Sequence, residues 1–124
     1  MTTIYLLLRQ VHPEFVISGK LSCQAFYPFP KDEGKLSVYD GKLISPMQSF
    51  DHYTIIQKLK SIGVWGVSNI EVKDTELSDQ PDPLPNSPVH AYINFTAHSS
   101  KDYRKLSKKL KEYAMQRGCL YSSI

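Results

Sequence analysis

Three hydrogen-bonding side chains recur at every second position in the last third of the chain, where His90, Tyr92 and Asn94 alternate with apolar residues. In an extended strand, side chains two positions apart lie on the same face, about 7 Å from one another. The spacing therefore predicts a polar row along one face of a strand, with the apolar residues turned into the core. Such a row can line a cleft.

Polar residues of other predicted strands can extend this row into a site. The candidate catalytic residues are Arg9, His12, Ser37 and His90, and the candidate binding residues beside them are Ser22, Gln24, Tyr92 and Asn94. This combination is typical of chemistry on phosphates, because one histidine can act as a base, another as an acid, and a guanidinium can hold the charge that develops. The alternative is that His90 only ends a strand and hydrogen-bonds locally.

Positive charge is concentrated towards the carboxyl end of the chain. Residues 101–117 contain seven Lys or Arg and two carboxylates, a net charge of +5, whereas the rest of the chain carries a net charge of −2. The candidate binding residues on this basic arc are Lys101, Arg104, Lys105, Lys108 and Lys111. A nucleic acid or an acidic protein would fit such an arc, and so would plain solvation. Aromatic residues are not interleaved with the lysines, so base-specific recognition is not indicated.

Few residues point to cofactor or metal chemistry. Cys23 and Cys119 lie far apart in the sequence and in no metal-ligand spacing, which favours a reduced pair over a disulfide. Cys23 also alternates with Leu21 and Ala25, which predicts a buried position and not a nucleophile. The sequence contains no glycine-rich phosphate loop and no zinc-type pair of His or Cys residues. We therefore predict no cofactor and no metal.

Periodicity predicts the elements that position these side chains. Alternating patterns predict strands over residues 3–10, 21–27, 36–39, 64–72 and 89–96, with a short terminal strand at 119–121. Serine caps followed by apolar stripes predict helices over residues 46–61 and from Ser99 to Gly118. The order favours the α+β class, with a single mixed sheet of about five strands and two helices packed on one face. The opposite face would then stay partly open.

The length of the chain, 124 residues, fits a single domain, which we place at residues 1–124. The longest apolar run, residues 4–8, is too short to cross a bilayer, so we expect no membrane partner. The sequence shows no signal that would direct the chain out of the cell. We therefore expect a cytoplasmic location.

Four short blocks are spread over most of the chain, namely residues 8–9 (LR), 21–26 (LSCQAF), 36–38 (LSV) and 86–91 (NSPVHA). Through these blocks the chain resembles a loose group of small, uncharacterised bacterial proteins. The resemblance implies a bacterial, cytoplasmic setting and one site that contains Arg9, Ser22, Ser37 and His90, and it implies no activity. Cys23 stands where we expect serine in similar proteins.

Three hypotheses about function follow from these residues. The first is a small cytoplasmic protein-binding or regulatory module, of the kind found in bacterial defence or toxin–antitoxin systems, whose partner is another protein. It depends on the absence of a catalytic motif, the loop at residues 28–34 and the charge-segregated last helix. The alternative is an enzyme that acts on phosphodiester or nucleotide substrates, for example by RNA cleavage, through His90, His12 and Arg9. Nucleic-acid binding by residues 101–111 is the third hypothesis.

Overall fold

Antiparallel pairing builds the main sheet. The computed structural model describes residues 3–122. In chain order, the strands within this range are β1 (Leu6–Val11), β2 (Val16–Ile17), β3 (Lys20–Leu21), β4 (Lys35–Asp40), β5 (Gly63–Ser68), β6 (Ser78–Pro81), β7 (His90–Asn94) and β8 (Tyr121–Ser122). Six of them form one sheet in the order β6-β7-β4-β1-β5-β8, and β2 and β3 form a separate hairpin.

Three α-helices accompany the strands in the described range, α1 (Pro46–Asp51), α2 (Asn69–Asp74) and α3 (Tyr103–Arg117). The chain continues from α1 directly into a π-helical segment, His52–Ile56. A capping box starts α1, because the Ser45 hydroxyl accepts the Gln48 N–H and the Gln48 side chain accepts the Ser45 N–H. Within residues 3–122, the helices are all too short or too polar to span a membrane.

The sheet carries a hydrophobic cluster on each face. Leu7 of β1 belongs to the larger cluster, which includes Leu106 and Leu110 of α3. Leu8, the next residue along the strand, belongs to a second cluster with Phe50 of α1. Because successive side chains of a strand point to opposite faces, α3 and α1 cover opposite sides of β1. The two apolar faces of this central strand require cover on both sides.

The α+β class is confirmed, while two details of the predicted sheet are wrong. We expected two helices packed on one face, and α1 and α3 lie on opposite faces. We also expected a mixed sheet of about five strands, and the six strands pair antiparallel throughout the described range. The crossover through α1 does leave β4 and β5 parallel to each other, but β1 lies between them and pairs antiparallel with both.

The predicted strand over residues 21–27 is also wrong. The hairpin strand β3 ends at Leu21, and the chain then forms a 3₁₀ turn over Cys23–Phe26. Ala25 and Phe26 are both completely buried. Both belong to the same hydrophobic cluster, and two adjacent side chains of a regular strand point to opposite faces, so the burial of this pair on one side favours the turn over the predicted strand.

Three further boundaries differ from the sequence-based prediction. The helix expected over residues 46–61 ends at Ile56, where the π-helical segment stops. The strand expected to reach residue 72 ends at Ser68, whose hydroxyl accepts the Glu71 N–H and so begins α2. The loop expected from residue 74 to 88 contains β6, an edge strand that ends at Pro81. The expected strand at 89–96 and the last helix are confirmed as β7 and α3, and the short terminal strand is confirmed as β8.

Candidate functional site

A cleft forms where β1 and β4 separate. The two strands pair only at residues 7–8 of β1 and 39–40 of β4, and the ladder ends there. The side chain of Arg9 occupies the gap beyond it. Its Nε donates to the Ala25 carbonyl at 2.8 Å, and its Nη1 donates to the Ser37 carbonyl at 2.8 Å. The guanidinium therefore gives the Ser37 carbonyl of β4 a donor that a continuous ladder would have supplied, and it also connects β1 to the 3₁₀ turn Cys23–Phe26.

The positive charge of Arg9 has no carboxylate partner among residues 3–122, because the ion pairs there involve other cations. Burial lowers the pKa of the guanidinium, and the nearby Tyr53 and Asp32 oppose this shift only in part. Only two of its five N–H groups are bonded within the described chain. A partly buried cation of this kind is costly without a partner, so an anionic ligand would stabilise it.

The space beside this guanidinium is a cavity of about 480 Å³, which we call the Arg9 cleft. All four candidate catalytic residues, Arg9, His12, Ser37 and His90, lie in its wall. Four aromatic side chains line it as well, namely Phe15, Phe29, Tyr39 and Tyr53. Its size falls in the range of small-molecule sites, roughly 300 to 1,000 Å³.

His90 is held in one orientation by a single neighbouring residue. Its Nδ1 lies 3.1 Å from the Asp82 carbonyl oxygen and 3.3 Å from the Asp82 carboxylate. Both neighbours are acceptors, so Nδ1 carries the proton and donates it. In the neutral ring Nε2 then has a free lone pair, which is the state a general base needs. The Tyr39–His90 pairing places the ring on the α1 face of the sheet.

His12 has the opposite tautomer. Its Nδ1 accepts the Glu14 N–H at 3.1 Å and caps the short 3₁₀ turn Pro13–Phe15. Nδ1 therefore lacks a proton, and the neutral ring carries its proton on Nε2. In this state His12 offers a hydrogen-bond donor and His90 offers an acceptor, so the two imidazoles of the Arg9 cleft supply complementary groups.

One buried hydroxyl in the wall of the Arg9 cleft has no partner. The Oγ of Ser87 makes no hydrogen bond to any described residue, although Ser87 is only 1% exposed. The backbone carbonyl of Ser87 accepts the N–H of His90 at 3.1 Å, so Ser87 and His90 are adjacent in the same site. An unpaired buried hydroxyl costs about 1 to 3 kcal/mol, and a ligand with a polar group could recover that energy.

A chain of hydrogen bonds fastens the π-helical segment His52–Ile56 beside the cleft. The Tyr39 hydroxyl lies 2.8 Å from Nδ1 of His52, and the Nε2 of His52 lies 2.9 Å from the Asn86 carbonyl. Burial, with a smaller effect of Tyr53, raises the pKa of Tyr39 to about 12. The phenol thus stays protonated and donates to Nδ1, so Nε2 carries the proton given to Asn86. No local pattern in the sequence indicates these long-range hydrogen bonds.

Two candidate binding residues lie in a different cavity. Ser22 and Gln24 line a cavity of about 450 Å³ together with Arg104 of α3, and we call it the Arg104 pocket. The Oγ of Ser22 is buried without a hydrogen-bond partner in the described chain. Phe29 lies in the wall of this pocket and also in the wall of the Arg9 cleft.

Tyr92 and Asn94 share the face of His90 but do not line either cavity. The Tyr92 hydroxyl donates to the Gln80 side chain at 2.8 Å, and the Asn94 side-chain oxygen accepts from the N–H and the hydroxyl of Thr96. These internal partners leave them less available to a ligand than the residues of the Arg9 cleft.

The basic arc is solvent-exposed along α3 and the 3₁₀ turn Ser100–Asp102 that precedes it. Lys101, Arg104, Lys105 and Lys108 are exposed and Lys111 is partly buried. The apolar side of the helix, with Leu106, Leu110 and Ala114 buried, is confirmed. Of the cations on the arc, Arg104 lines a cavity.

No protein-family model, curated protein or solved structure matches this chain. The interpretation of the site therefore depends on its own chemistry. That chemistry is an unneutralised guanidinium, two imidazoles of opposite tautomer and a cluster of aromatic rings around one cavity.

Proposed function

We propose that the Arg9 cleft binds a phosphate-bearing ligand of the nucleotide or phosphodiester class. The observation that carries this proposal is the guanidinium of Arg9, which is partly buried, lacks a carboxylate partner among residues 3–122 and keeps N–H groups unbonded. A phosphate oxygen accepts two N–H groups from a guanidinium, and such charge-assisted bonds are strong in a partly buried site. The cation would then gain the partner that the protein does not supply.

The rest of the wall favours a nucleotide over an inorganic anion. A nucleotide combines a phosphate with a planar base, and the Arg9 cleft combines the guanidinium with aromatic side chains on which a base can stack. The unpaired Ser87 hydroxyl offers a partner for a ribose or base edge. A bare sulfate or phosphate would leave most of a cavity of about 480 Å³ unfilled.

His90 is the residue that we propose as general base for phosphodiester cleavage. Its Nε2 takes the proton of a hydroxyl next to the phosphorus, and the resulting oxygen forms a bond to phosphorus. The bond between phosphorus and the leaving oxygen breaks, and the leaving oxygen takes a proton from water. The hydroxide that remains takes the proton from the His90 imidazolium, which returns the base to its starting state. Arg9 holds the charge that develops on the phosphoryl oxygens, and Asp82 keeps the imidazole in its working tautomer.

Calorimetric titration with uridine 5′-monophosphate and with uridine tests the binding step. Because a charge-assisted hydrogen bond contributes about 1.5 to 3 kcal/mol, we expect the nucleotide to bind at least about tenfold more tightly than the nucleoside. Equal affinities, or no binding of either compound, would contradict the proposal. This comparison uses the unaltered protein, so it does not depend on the folding of any variant.

Cleavage of uridylyl-(3′,5′)-adenosine tests the chemical step. We expect His90→Gln to lose turnover, and we expect His98→Gln to keep it. His98 is a suitable control because its Nε2 bonds the Glu76 carbonyl at 2.7 Å and its ring lies outside the Arg9 cleft. Retained turnover in His90→Gln would remove His90 from the mechanism.

A second candidate function, as a small cytoplasmic protein-binding or regulatory module, is favoured by exposed apolar side chains around α1. Between 48% and 65% of each side chain is exposed for Leu43, Met47, Ile55, Ile56 and Leu59. Clusters of this kind are typical of protein interfaces. In this case Ile55→Asp with Ile56→Asp should abolish a stoichiometric complex seen by size-exclusion chromatography. A complex that survives both substitutions would contradict this candidate.

A further inference from the structure

The Arg9 cleft and the Arg104 pocket share one aromatic wall. Phe29 lines both cavities. Its ring stacks on Phe15 with centroids 6.0 Å apart and an angle of 23° between the planes, and it meets the edge of Tyr27 at 5.4 Å. Three rings therefore lie between a site for a phosphate and a second cavity that contains a guanidinium.

A row of cations continues from the Arg104 pocket along α3. Residues three and four apart on a helix lie on one side, and this spacing joins Arg104, Lys108 and Lys111 of α3 to Lys101 in the 3₁₀ turn Ser100–Asp102, which leads directly into the helix. From Lys101 to Lys111 the row is about 15 Å long, because each helical residue rises about 1.5 Å. No side chain of this row has a carboxylate partner among the residues described. The positive charge of the row is therefore available to an external polyanion.

We propose that a single strand of RNA runs from the Arg9 cleft, across Phe29, through the Arg104 pocket and along this row of cations. The proposal rests on the function proposed above, since it names the polymer whose phosphate and base would occupy the Arg9 cleft. Cations contact successive phosphates, and the aromatic wall between them provides a surface for an unpaired base. This is the arrangement by which single-stranded nucleic acids are bound.

The other polyanions fit this path less well. A duplex keeps its bases stacked inside and is too wide to place a nucleotide in a cavity of about 480 Å³. An acidic protein would neutralise the cations, but its carboxylates would not stack on the aromatic rings that lie between the two cavities. The unpaired Ser22 hydroxyl in the Arg104 pocket can pair with a ribose 2′-hydroxyl, which both donates and accepts and which distinguishes RNA.

Fluorescence anisotropy with a labelled oligouridylate of about ten nucleotides tests the path, since single-strand binding modules cover about 4 to 16 nucleotides. Contacts from Arg9 and the four cations of the row predict that log affinity falls against log salt with a slope of about −3.5. Affinity should thus drop about 100-fold between 50 and 200 mM salt. The oligonucleotide should also bind more tightly than uridine 5′-monophosphate at low salt.

Charge reversal on the row provides the matched comparison. Arg104→Glu with Lys108→Glu should reduce the slope to about −2.1, because two phosphate contacts are lost. The control is Lys73→Glu with Lys109→Glu, an equal change of charge at exposed positions. Lys109 lies on the same helix but about 140° around its axis from Arg104. The control variant should keep a slope of about −3.5.

Four results would overturn the RNA path. The first is that the mononucleotide binds and the oligonucleotide binds no more tightly than the mononucleotide. This result would leave the proposed function of the Arg9 cleft intact. The second is an equal effect of the two double variants on the salt slope. The third is capture of an acidic protein by the row in the absence of RNA binding. If neither the mononucleotide nor the oligonucleotide binds, the proposed function fails together with the path.

Discussion

Replacement of Arg9 by methionine should remove at least half of the thermal stabilisation that a nucleotide confers. A ligand at a hundred times its dissociation constant stabilises a protein by about 2.7 kcal/mol. For a chain of this length the entropy of unfolding is about 0.26 kcal/mol/K, so saturation with uridine 5′-monophosphate should raise the melting temperature of the wild type by about 10 °C. Loss of charge-assisted bonds to the phosphate costs about 1.5 to 3 kcal/mol. At the same nucleotide concentration, the melting temperature of Arg9→Met should therefore rise by only about 1 to 5 °C.

The substitution Arg9→Met also changes the melting temperature of the ligand-free protein. Each nucleotide-induced shift is therefore measured against the ligand-free melting temperature of the same variant. Methionine leaves two carbonyl groups without the donors they now have, which destabilises the protein, and it removes a partly buried charge, which stabilises it. Arg117→Met is the matched control. Arg117 also donates to a backbone carbonyl, that of Gly66 at 3.0 Å, but it has a carboxylate partner in Glu71 at 2.8 Å.

Differential scanning fluorimetry with and without the nucleotide measures these shifts. The control should keep the full shift of about 10 °C from a lower starting temperature, because its guanidinium lies outside the Arg9 cleft. A full shift in Arg9→Met would show that the phosphate does not contact this cation. The absence of a shift in the wild type would show that the Arg9 cleft does not bind the nucleotide. Either result refutes the interpretation of Arg9 as an anion site.

Three further predictions concern the stability of the fold that supports the site. Burial alone would raise the pKa of Glu71, but hydrogen bonds from Arg117 and from a backbone amide outweigh it and lower the pKa below 4.5. The stability that this group contributes is therefore present above about pH 4.5 and is lost as the pH falls through the lowered value. In urea titrations at a series of acidic pH values, the free energy of unfolding of Glu71→Gln should therefore fall less steeply with decreasing pH than that of the wild type. Tyr39→Phe, which removes the donor to His52, should reduce the free energy of unfolding by about 1 to 2 kcal/mol in urea titrations, and no change would argue against that hydrogen bond. Gly34→Ala should cost at least about 1 kcal/mol, because φ is +79° and the added Cβ would meet two side chains at 3.0 Å; unchanged stability would contradict this geometry.

The elements with strong local periodicity were predictable from the sequence. The alternation from residue 89 onwards identified β7, and the apolar stripe of Leu106, Leu110 and Ala114 identified the buried side of α3. Both signals come from side chains that face one environment along the whole element. The segment Cys23–Phe26 alternates in the same way, but its turn is decided by contacts with α3 that are distant in the sequence.

The Arg9 cleft was predictable only in part. The four candidate catalytic residues line it, whereas their catalytic role stays a prediction. Tyr53 lies within the helix predicted over residues 46–61, where an aromatic residue is typical of a buried apolar stripe. His52 carries no signal in the sequence, because its hydrogen bond with Tyr39 depends on how α1 crosses the sheet. Ser87 carried no local signal, since an unpaired hydroxyl is recognisable only once its surroundings are known.

The separation of β1 from β4 connects the stability of the fold with the proposed function. If the two strands kept pairing beyond residues 7–8 and 39–40, backbone hydrogen bonds would satisfy both edges and close the Arg9 cleft. Arg9 instead satisfies the Ser37 carbonyl of β4 and the Ala25 carbonyl of the 3₁₀ turn Cys23–Phe26, but its own charge then has no partner within residues 3–122. An apolar side chain would avoid that cost and leave both carbonyls unsatisfied. Arginine is thus the residue type that can hold the gap open with its N–H groups and still present a cation to a phosphate.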